Sequence, residues 1–181
     1  MTVALRTPRL LLREWRDDDI DRFAADLATP EVTEMLPPLS DRAACAAWIG
    51  RMRTHNETHG FAYWAVELPG EAPLVGAIGL TRVNFPHAFG EAVEIGWRLA
   101  RPHWGKGYAT EAARATIEDG FYRLDIGEIV AFTVPMNQRS RDVMTRLGMT
   151  RDPADDFDFH RFEPGHRLRR HVLYRLRRPP A

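Results

Sequence analysis

The stretch that decides the fold runs from Val93 to Ala109 and reads VEIGWRLARPHWGKGYA. Its first part, Val93 to Leu99, has the pattern of a β-strand, and an alanine-rich helix follows the turn marked by Gly105 and Gly107. A glycine-rich turn between a strand and a helix offers backbone N–H groups, and the positive end of the helix dipole, to a phosphate. This stretch therefore indicates an enzyme that uses a phosphate-bearing cofactor.

Strands and helices alternate irregularly on both sides of this stretch. Hydrophobic periodicity and the residues that cap or break elements predict the following: strand Leu10 to Trp15; a helix capped by Asp17 or Asp18 and stopped by Thr29-Pro30; a helix from Ser40 to His59-Gly60; strands Phe61 to Leu68, Leu74 to Phe85 and Ala92 to Leu99, joined at Pro69-Gly70 and Pro86 to Gly90; helix Ala109 to Leu124; strand Glu128 to Val134; helix Asn137 to Leu147; strands Phe157 to Phe159 and His171 to Leu176. This order predicts an α+β (mixed α/β) fold with a single sheet and helices packed on it.

Size and composition favour one domain over residues 1–181. The chain has 181 residues, 44% of them hydrophobic, which is enough for a complete core. Lys plus Arg and Asp plus Glu both total 25, so the charge balance calls for neither nucleic acid nor a membrane as a partner. The single cysteine, Cys45, excludes an internal disulfide and has the spacing of a buried helix residue. With no signal peptide and no apolar run of about 20 residues, we expect a cytoplasmic protein.

Two familiar nucleotide-binding motifs do not account for the glycine turn. The phosphate-binding loop of nucleotide hydrolases needs Gly-x-x-x-x-Gly-Lys-Ser/Thr, which this sequence lacks. The dinucleotide fingerprint needs a glycine where this chain has Thr110, and it needs a parallel strand unit where the preceding strands are predicted to be antiparallel. From the turn alone, a phosphate site and an ordinary tight turn that starts a helix are equally open.

Three blocks of sequence carry a resemblance to a known family: residues 9–13, RLLLR; residues 104–112, WGKGYATEA; and residues 135–149, PMNQRSRDVMTRLGM. Together they resemble the GNAT superfamily of acyl-CoA-dependent N-acyltransferases, and most closely its ribosomal-protein N-terminal acetyltransferase (RimJ/RimL-like) branch. The superfamily's acetyl-CoA signature is Gln/Arg-x-x-Gly-x-Gly/Ala. The chain fits it except that Trp104 replaces Gln or Arg, as is familiar in this branch. The resemblance covers nearly the whole chain.

The resemblance implies a GNAT-like fold, with a single central, mostly antiparallel twisted sheet and helices on both faces. It also implies acetyl-CoA as co-substrate. The residues that would hold it are Trp97, Leu99, Trp104, Gly105, Lys106, Gly107, Tyr108, Ala109 and Asn137. The pyrophosphate would lie on the N–H groups of the glycine turn. The pantetheine arm would pair with the edge of the strand that ends at Leu99, which a bulge exposes in the family, and Gly96 is compatible with such a distortion.

Three residues are predicted to carry the chemistry. A neutral amine is needed, and Glu94 is the best candidate for a general base, because Gly96 beside it leaves space on the same face of the strand. The alternative is a solvated carboxylate, or one paired with a neighbouring strand. By resemblance, the N–H of Leu99 would polarise the thioester carbonyl. Ser140 would protonate the leaving thiolate, since Met144 stands where many relatives have a tyrosine. The alternative is that Ser140 only bonds a preceding helix carbonyl.

The remaining features bear on metal and acceptor. His55 and His59 lack the glutamate of a zinc protease motif, so no metal is expected. Acceptor recognition is assigned to the first two helices with their Pro-rich link and to the loop around Asp155 to His166, whose negative charge would attract a cationic amine; the alternative is a solvated acidic loop with no such role. The function predicted is acetyl-CoA-dependent N-acetyl transfer, directly to the primary amine of a peptide N-terminus or a small molecule. Alternatives are a non-catalytic acyl-CoA-binding or sensing module and a transferase for another acyl-CoA such as succinyl-CoA. A homodimer is plausible in this family.

Overall fold

The fold is organised around a sheet that places Val93 to Leu99 at its centre. The computed structural model describes residues 4–85 and 89–180. The strands are β1 Leu5–Arg6, β2 Leu11–Arg13, β3 Tyr63–Leu68, β4 Ala72–Arg82, β5 Val93–Leu99, β6 Glu128–Thr133, β7 Thr150–Arg151, β8 Phe157–Asp158 and β9 Arg170–Arg177. The helices are α1 Asp19–Arg22, which continues as a π-helix over Phe23–Leu27, α2 Pro30–Thr33, α3 Arg42–His59, α4 Tyr108–Tyr122 and α5 Gln138–Arg146.

The strand order is β1-β2-β3-β4-β5-β6-β9-β7, with β8 paired to β9. The pairs within the described ranges are antiparallel except β5 with β6, which run parallel. A parallel pair needs a crossover connection, and α4 supplies it. The predicted mixed α/β fold with one mostly antiparallel sheet is confirmed.

Both faces of the sheet are covered by helices, as predicted. On one face α4 buries Ala113, Ile117 and Phe121 in a core that includes Ile78 of β4. On the other face the π-helix and α3 bury a second core with Ala77, the neighbour of Ile78 in β4. Adjacent strand residues point to opposite faces, so β4 contributes to both cores and is buried along most of its length.

A buried ion pair fixes the start of the chain to the sheet. The guanidinium of Arg13 donates to both carboxylate oxygens of Asp19, at 2.7 and 2.9 Å, and both side chains are almost fully buried. Arg13 also donates to Glu67 on β3 and to the carbonyl oxygen of Pro73 on β4. Asp19 also accepts a hydrogen bond from the backbone N–H of Arg16. This network ties β2, α1, β3 and β4 together.

Several predicted boundaries are wrong for local reasons. The strand predicted from Leu10 to Trp15 is β2, and it covers only Leu11–Arg13, because the chain turns away after it pairs with β3. Asp41, not Ser40, caps α3: its carboxylate accepts the N–H of Ala44. The Asp18 side chain makes no cap bond to α1. Pro30 starts α2 under a Thr29 cap, in addition to ending the preceding helix. The predicted connection Pro86 to Gly90 lies partly outside the described residues.

The helices in the described ranges include none with the length and hydrophobicity needed to span a bilayer.

Candidate active site

The parallel strands β5 and β6 separate shortly after they meet, and the point of separation is Glu94. They pair at Val93 with Ile129 and at Glu94 with Val130, and no further pairs follow. On its other edge, β5 stays paired with β4 through Leu99. We call this point the fork. Beyond it, β5 has one edge without a neighbouring strand.

The free edge of β5 presents the backbone groups of alternate residues. Ala100 donates its N–H to Val75 on β4, and Ala92 accepts from Val83 beside β4. Because backbone groups alternate in direction along a strand, Trp97 and Leu99 direct theirs away from β4, towards the open side of the fork. The register with β4 runs without a shift, so the expected bulge is absent from this pairing. The exposed edge instead results from the divergence of β6 from β5.

The glycine turn beside this edge has the geometry of an anion cradle. Gly105 and Gly107 have φ of 75° and 82°, in the left-handed region that favours glycine. Within the described part of the chain, the backbone N–H groups from Gly105 to Thr110 have no acceptor; the first bond at the start of α4 runs from Glu111 to Gly107. A Cβ built at Gly105 would meet no atom within 4 Å. Free N–H groups at the start of a 15-residue helix suit a pyrophosphate.

The turn is held in place by the first strands. Arg9 donates to the carbonyl oxygen of Lys106 at 3.0 Å and pairs with Glu111. The Thr7 hydroxyl donates to the same carboxylate at 2.6 Å. The side chains of Thr7 and Arg9, which lie between β1 and β2, therefore hold the turn and the start of α4 in position.

Trp104 links the turn to the end of β5 and to α5. Its indole N–H donates to the carbonyl oxygen of Leu99 at 2.8 Å. The guanidinium carbons of Arg101 and Arg139 lie 4.8 and 4.1 Å from the centre of the indole ring. Trp104 stands where the GNAT signature has Gln or Arg, and through these contacts it holds the turn against the free edge of β5.

A cavity of about 960 Å³ connects these features. It is lined by the turn between β1 and β2, by α2, and by the end of β5, the glycine turn, α4 and α5. Of the residues predicted to bind the cofactor or act on it, those in the lining are Trp97, Leu99, Trp104, Gly105, Gly107, Tyr108, Ala109, Asn137 and Ser140. Lys106 and Glu94 are outside the lining: Lys106 is exposed on the turn, and Glu94 lies at the fork.

Glu94 is half-buried and poorly solvated. Burial raises the pKa of Glu94 to about 7, although the Thr81 hydroxyl, which donates to it at 3.1 Å, lowers the pKa. Thr81 is its partner in the register of β4 and β5. The solvated mid-strand carboxylate considered from the sequence does not fit this environment, whereas the other alternative, a carboxylate paired with a neighbouring strand, agrees with the hydrogen bond from Thr81. A carboxyl group with a pKa near neutrality is suited to accept a proton at physiological pH.

The space expected over Gly96 is filled, which corrects the sequence prediction. A Cβ at Gly96 would lie 1.7 Å from the hydroxyl oxygen of Tyr63, so the tyrosine occupies the position of the missing side chain. Tyr63 belongs to β3, two strands away, and reaches across Gly79 of β4. Glu94 therefore has a tyrosine hydroxyl as its neighbour along this face of β5.

Ser140 is attached to the cavity wall through Trp97 and Asn137. The indole N–H of Trp97 donates to the Ser140 hydroxyl oxygen at 3.3 Å. Asn137 caps α5 by accepting the N–H of Ser140, and it donates to Thr133. The alternative bond from Ser140 to a preceding helix carbonyl is not among its contacts in the described residues. The hydroxyl hydrogen of Ser140 is thus available to a ligand in the cavity.

The acetyltransferase (GNAT) domain, compared with this sequence, matches residues 9–150. The chain belongs to the GNAT acetyltransferase family.

Relatives and solved structures of GNAT proteins agree with this assignment. YkkB of Bacillus subtilis is 30% identical over 146 residues, covering 80% of this chain and 84% of that protein. The [ribosomal protein uS5]-alanine N-acetyltransferase of Escherichia coli is 30% identical over 156 residues, covering 83% and 79%. A GNAT acetyltransferase from Bacillus anthracis superimposes with a TM-score of 0.78 at 26% identity, covering 97% of this chain and 98% of that one.

The histidines that the structure describes do not form a metal centre with neighbouring side chains. The described residues contain no group of three or more His, Cys, Asp or Glu side chains placed to hold a metal ion. His55 has a structural role: its Nδ1 lies 2.7 Å from the carbonyl oxygen of Phe61, and its Nε2 accepts the N–H of Arg82. It connects the end of α3 to β3 and β4.

Sequence reasoning missed Tyr63, Thr81 and Arg98 at the site. Thr81 and Tyr63 come from strands that no motif marks, and only the register of the sheet brings them to Glu94 and Gly96. Arg98 was visible as a residue on the Glu94 face of the strand, but nothing in the sequence distinguished it from a solvated side chain. The structure places it half-buried in the cavity lining.

Proposed function

We propose that this acetyltransferase binds acetyl-CoA along the cavity and transfers the acetyl group directly to a primary amine, with Glu94 as general base. The observation that carries the proposal is the fork. At the fork, the free edge of β5 lies beside the braced glycine turn with its unpaired N–H groups. The fork also holds Glu94, a carboxyl group whose pKa burial raises to about 7.

Acetyl-CoA supplies an activated acetyl thioester, and the residues of the chain prepare and complete its transfer. The turn from Gly105 to Ala109 binds the pyrophosphate through its N–H groups. The free edge of β5 pairs with the pantetheine, and the Leu99 N–H stabilises the negative charge that develops on the thioester oxygen. Trp97 and Asn137 hold Ser140 towards the sulfur.

Two proton transfers balance the reaction. The acceptor reacts as the neutral amine, and Glu94 removes one proton from its nitrogen as the new N–C bond forms, directly or through water. The C–S bond breaks, and Ser140 donates its hydroxyl proton to the leaving thiolate. Glu94 then releases its proton to solvent and Ser140 takes one back, so that one proton moves from nitrogen to sulfur overall. No covalent enzyme intermediate is needed; Cys45, the sole cysteine, is buried in the second core, and burial raises the pKa of its thiol.

The acceptor is a primary amine, either a peptide N-terminus or a small molecule. The relative from Escherichia coli is named for the alanine of ribosomal protein uS5, which makes an N-terminal amine one class to test. Homodimer formation is part of the same proposal, and sedimentation of the purified protein measures it.

The test is release of coenzyme A from acetyl-CoA in the presence of peptides with different N-terminal residues, polyamines and other small amines. We expect release that depends on the acceptor and falls about 100-fold or more in Glu94→Gln. Glu91→Gln, which changes an exposed carboxylate two residues before the same strand, is the matched control. Binding of acetyl-CoA measured by calorimetry should be equal in all three proteins.

Two other results would replace the proposal. Tight acetyl-CoA binding without turnover of any amine would identify a binding or sensing module. Faster turnover with succinyl-CoA than with acetyl-CoA, on the same amine, would identify a different acyl donor.

A further inference from the structure

Arg98 is a half-buried cation without an anionic partner. It lies on the same face of β5 as Glu94 and lines the cavity. Its guanidinium donates to the carbonyl oxygen of Leu27 at 3.4 Å and lies 5.6 Å from the ring centre of Phe23. Among residues 4–85 and 89–180, no carboxylate comes within salt-bridge distance of it.

The contrast with nearby arginines is informative. Arg13 is more deeply buried and has two carboxylates, Asp19 and Glu67. Arg101, at the cavity mouth, pairs with Glu31 at 2.5 Å. Burying a charge is costly unless an opposite charge or several hydrogen bonds compensate for it. Burial indeed lowers the pKa of Arg98 from its ordinary value, although an arginine remains charged.

A second donor lies next to Arg98. The Tyr63 hydroxyl stands over Gly96, between Glu94 and Arg98, and it makes no hydrogen bond to another described residue. Gly96 and Arg98 are two residues apart in β5, so the Tyr63 hydroxyl over Gly96 and the Arg98 guanidinium lie on the same face of the strand. The guanidinium offers the parallel N–H pair that a carboxylate accepts, and the hydroxyl offers a further donor.

We infer that Arg98 and Tyr63 bind a carboxylate carried by the acceptor, so that the preferred acceptors are small amines with a carboxylate of their own, such as free amino acids. This inference rests on the proposed acetyl transfer. The Cα atoms of Glu94 and Arg98 are about 13 Å apart along the strand, and the Tyr63 hydroxyl lies over Gly96 between these two residues. The amine of the acceptor then lies towards Glu94, and its carboxylate lies against Arg98 and this hydroxyl.

The side of the sheet identifies the acceptor, and not the acyl group, as the source of the carboxylate. Arg98 shares its face of β5 with Glu94, under the π-helix that supplies Phe23 and Leu27. Trp97 points to the opposite face, where it bonds Ser140. The amine to be deprotonated at Glu94 and the carboxylate at Arg98 therefore belong on one side.

The test compares each free amino acid with its α-carboxamide, which has the same shape but no charge. For the wild type we expect kcat/KM to be about 10- to 100-fold higher with the free acid, mostly through KM. In Arg98→Gln this ratio should fall to near one while turnover of the carboxamide is retained. Arg98→Lys should recover part of the preference, and Tyr63→Phe should lose a smaller part. Arg51→Gln, an exposed arginine on α3, is the matched control.

Calorimetry separates this inference from the proposed function. In the presence of coenzyme A, binding of the free amino acid, absent for its carboxamide and lost in Arg98→Gln, supports the inference even if no turnover occurs. Equal use of acids and carboxamides by the wild type, or no binding of any amino acid, overturns it. So does a preference for succinyl-CoA over acetyl-CoA, with cadaverine as acceptor, that disappears in Arg98→Gln. Melting curves establish that each variant is folded.

Discussion

Glu94 has to be ionised to act as a base, and its environment sets the pH at which this occurs. Burial raises its pKa to about 7, so the carboxyl group is protonated in most molecules at pH 6. We expect kcat/KM for amine acetylation to increase about tenfold per pH unit below pH 7 and to level off above it. The pH profile of the wild type, compared with Glu94→Gln, measures this. A rising limb that persists in Glu94→Gln would belong to the acceptor amine and would contradict the assignment.

The same pKa has a consequence for stability. The folded-state pKa of Glu94 is raised above the ordinary value of 4.5, so the folded protein holds this proton longer than the unfolded chain. The stabilisation of the folded state that comes from this proton is fully present below pH 4.5 and is lost as pH rises through about 7. Glu94→Gln is always neutral, so we expect the melting temperature of the variant to exceed that of the wild type at pH 8 and to equal it at pH 4. Equal differences at both pH values would refute this.

Ser140 is held by the Trp97 indole, so its role as proton donor is testable. We expect Ser140→Ala to lower kcat about 10- to 100-fold with little change in KM for acetyl-CoA. A thioester with a more acidic thiol needs less protonation, so the difference between Ser140→Ala and wild type should shrink with such a donor. The same loss with both donors would assign Ser140 a purely structural role. Trp97→Phe, which keeps Ser140 but removes the N–H donor, should give an intermediate loss.

At the scale of an element, the free N–H groups of the glycine turn depend on the left-handed backbone conformation of its two glycines. In Gly107→Ala an L-residue has to adopt φ near 82°, which costs about 1–2 kcal/mol, and the added Cβ lies 3.4 Å from Nη2 of Arg9, the side chain that braces the turn. We expect the affinity for coenzyme A to fall about tenfold or more in calorimetry. Gly127→Ala is the control, because this exposed glycine before β6 has no positive φ and no atom within 4 Å of the added Cβ. Equal affinity in both variants would exclude the turn from the binding site.

Elements with strong local signals were predictable, and those created by tertiary contacts were not. The apolar spacing and the cap of α5, the glycines at the turn and the Gly60 end of α3 are encoded in neighbouring residues, and the structure agrees with them. The short strand β1 was missed, because its Leu5 and Arg6 form a strand only through pairing with β2. The change from α1 to a π-helix at Phe23 also has no sequence signal, and Arg98 bonds the carbonyl oxygen of Leu27 at its end.

The site as a whole combines segments that are far apart in the chain. Glu94 and the glycine turn could be singled out from the sequence because they belong to one continuous stretch. Tyr63 could not be found, since its position over Gly96 depends on the register of three strands. The vacancy inferred beside Glu94 was wrong for the same reason. The alternation of residues along a strand shows which side chains point to each face of the sheet. The register of the neighbouring strands determines which side chain packs over a glycine such as Gly96.

The Arg13–Asp19 pair also depends on how strands and helices are brought together, and it contributes to the stability of the whole molecule. Asp19→Asn would leave the Arg13 guanidinium, almost fully buried, with only Glu67 as an ionic partner. Removing one member of a buried pair costs about 3–5 kcal/mol, whereas an exposed pair contributes about 1 kcal/mol or less. We expect Asp19→Asn to lower the free energy of unfolding in urea by several kcal/mol, and Asp21→Asn, from the exposed pair with Arg42, to leave it nearly unchanged. A loss of similar size in both variants would mean that the buried network does not hold β2 and α1 to the sheet.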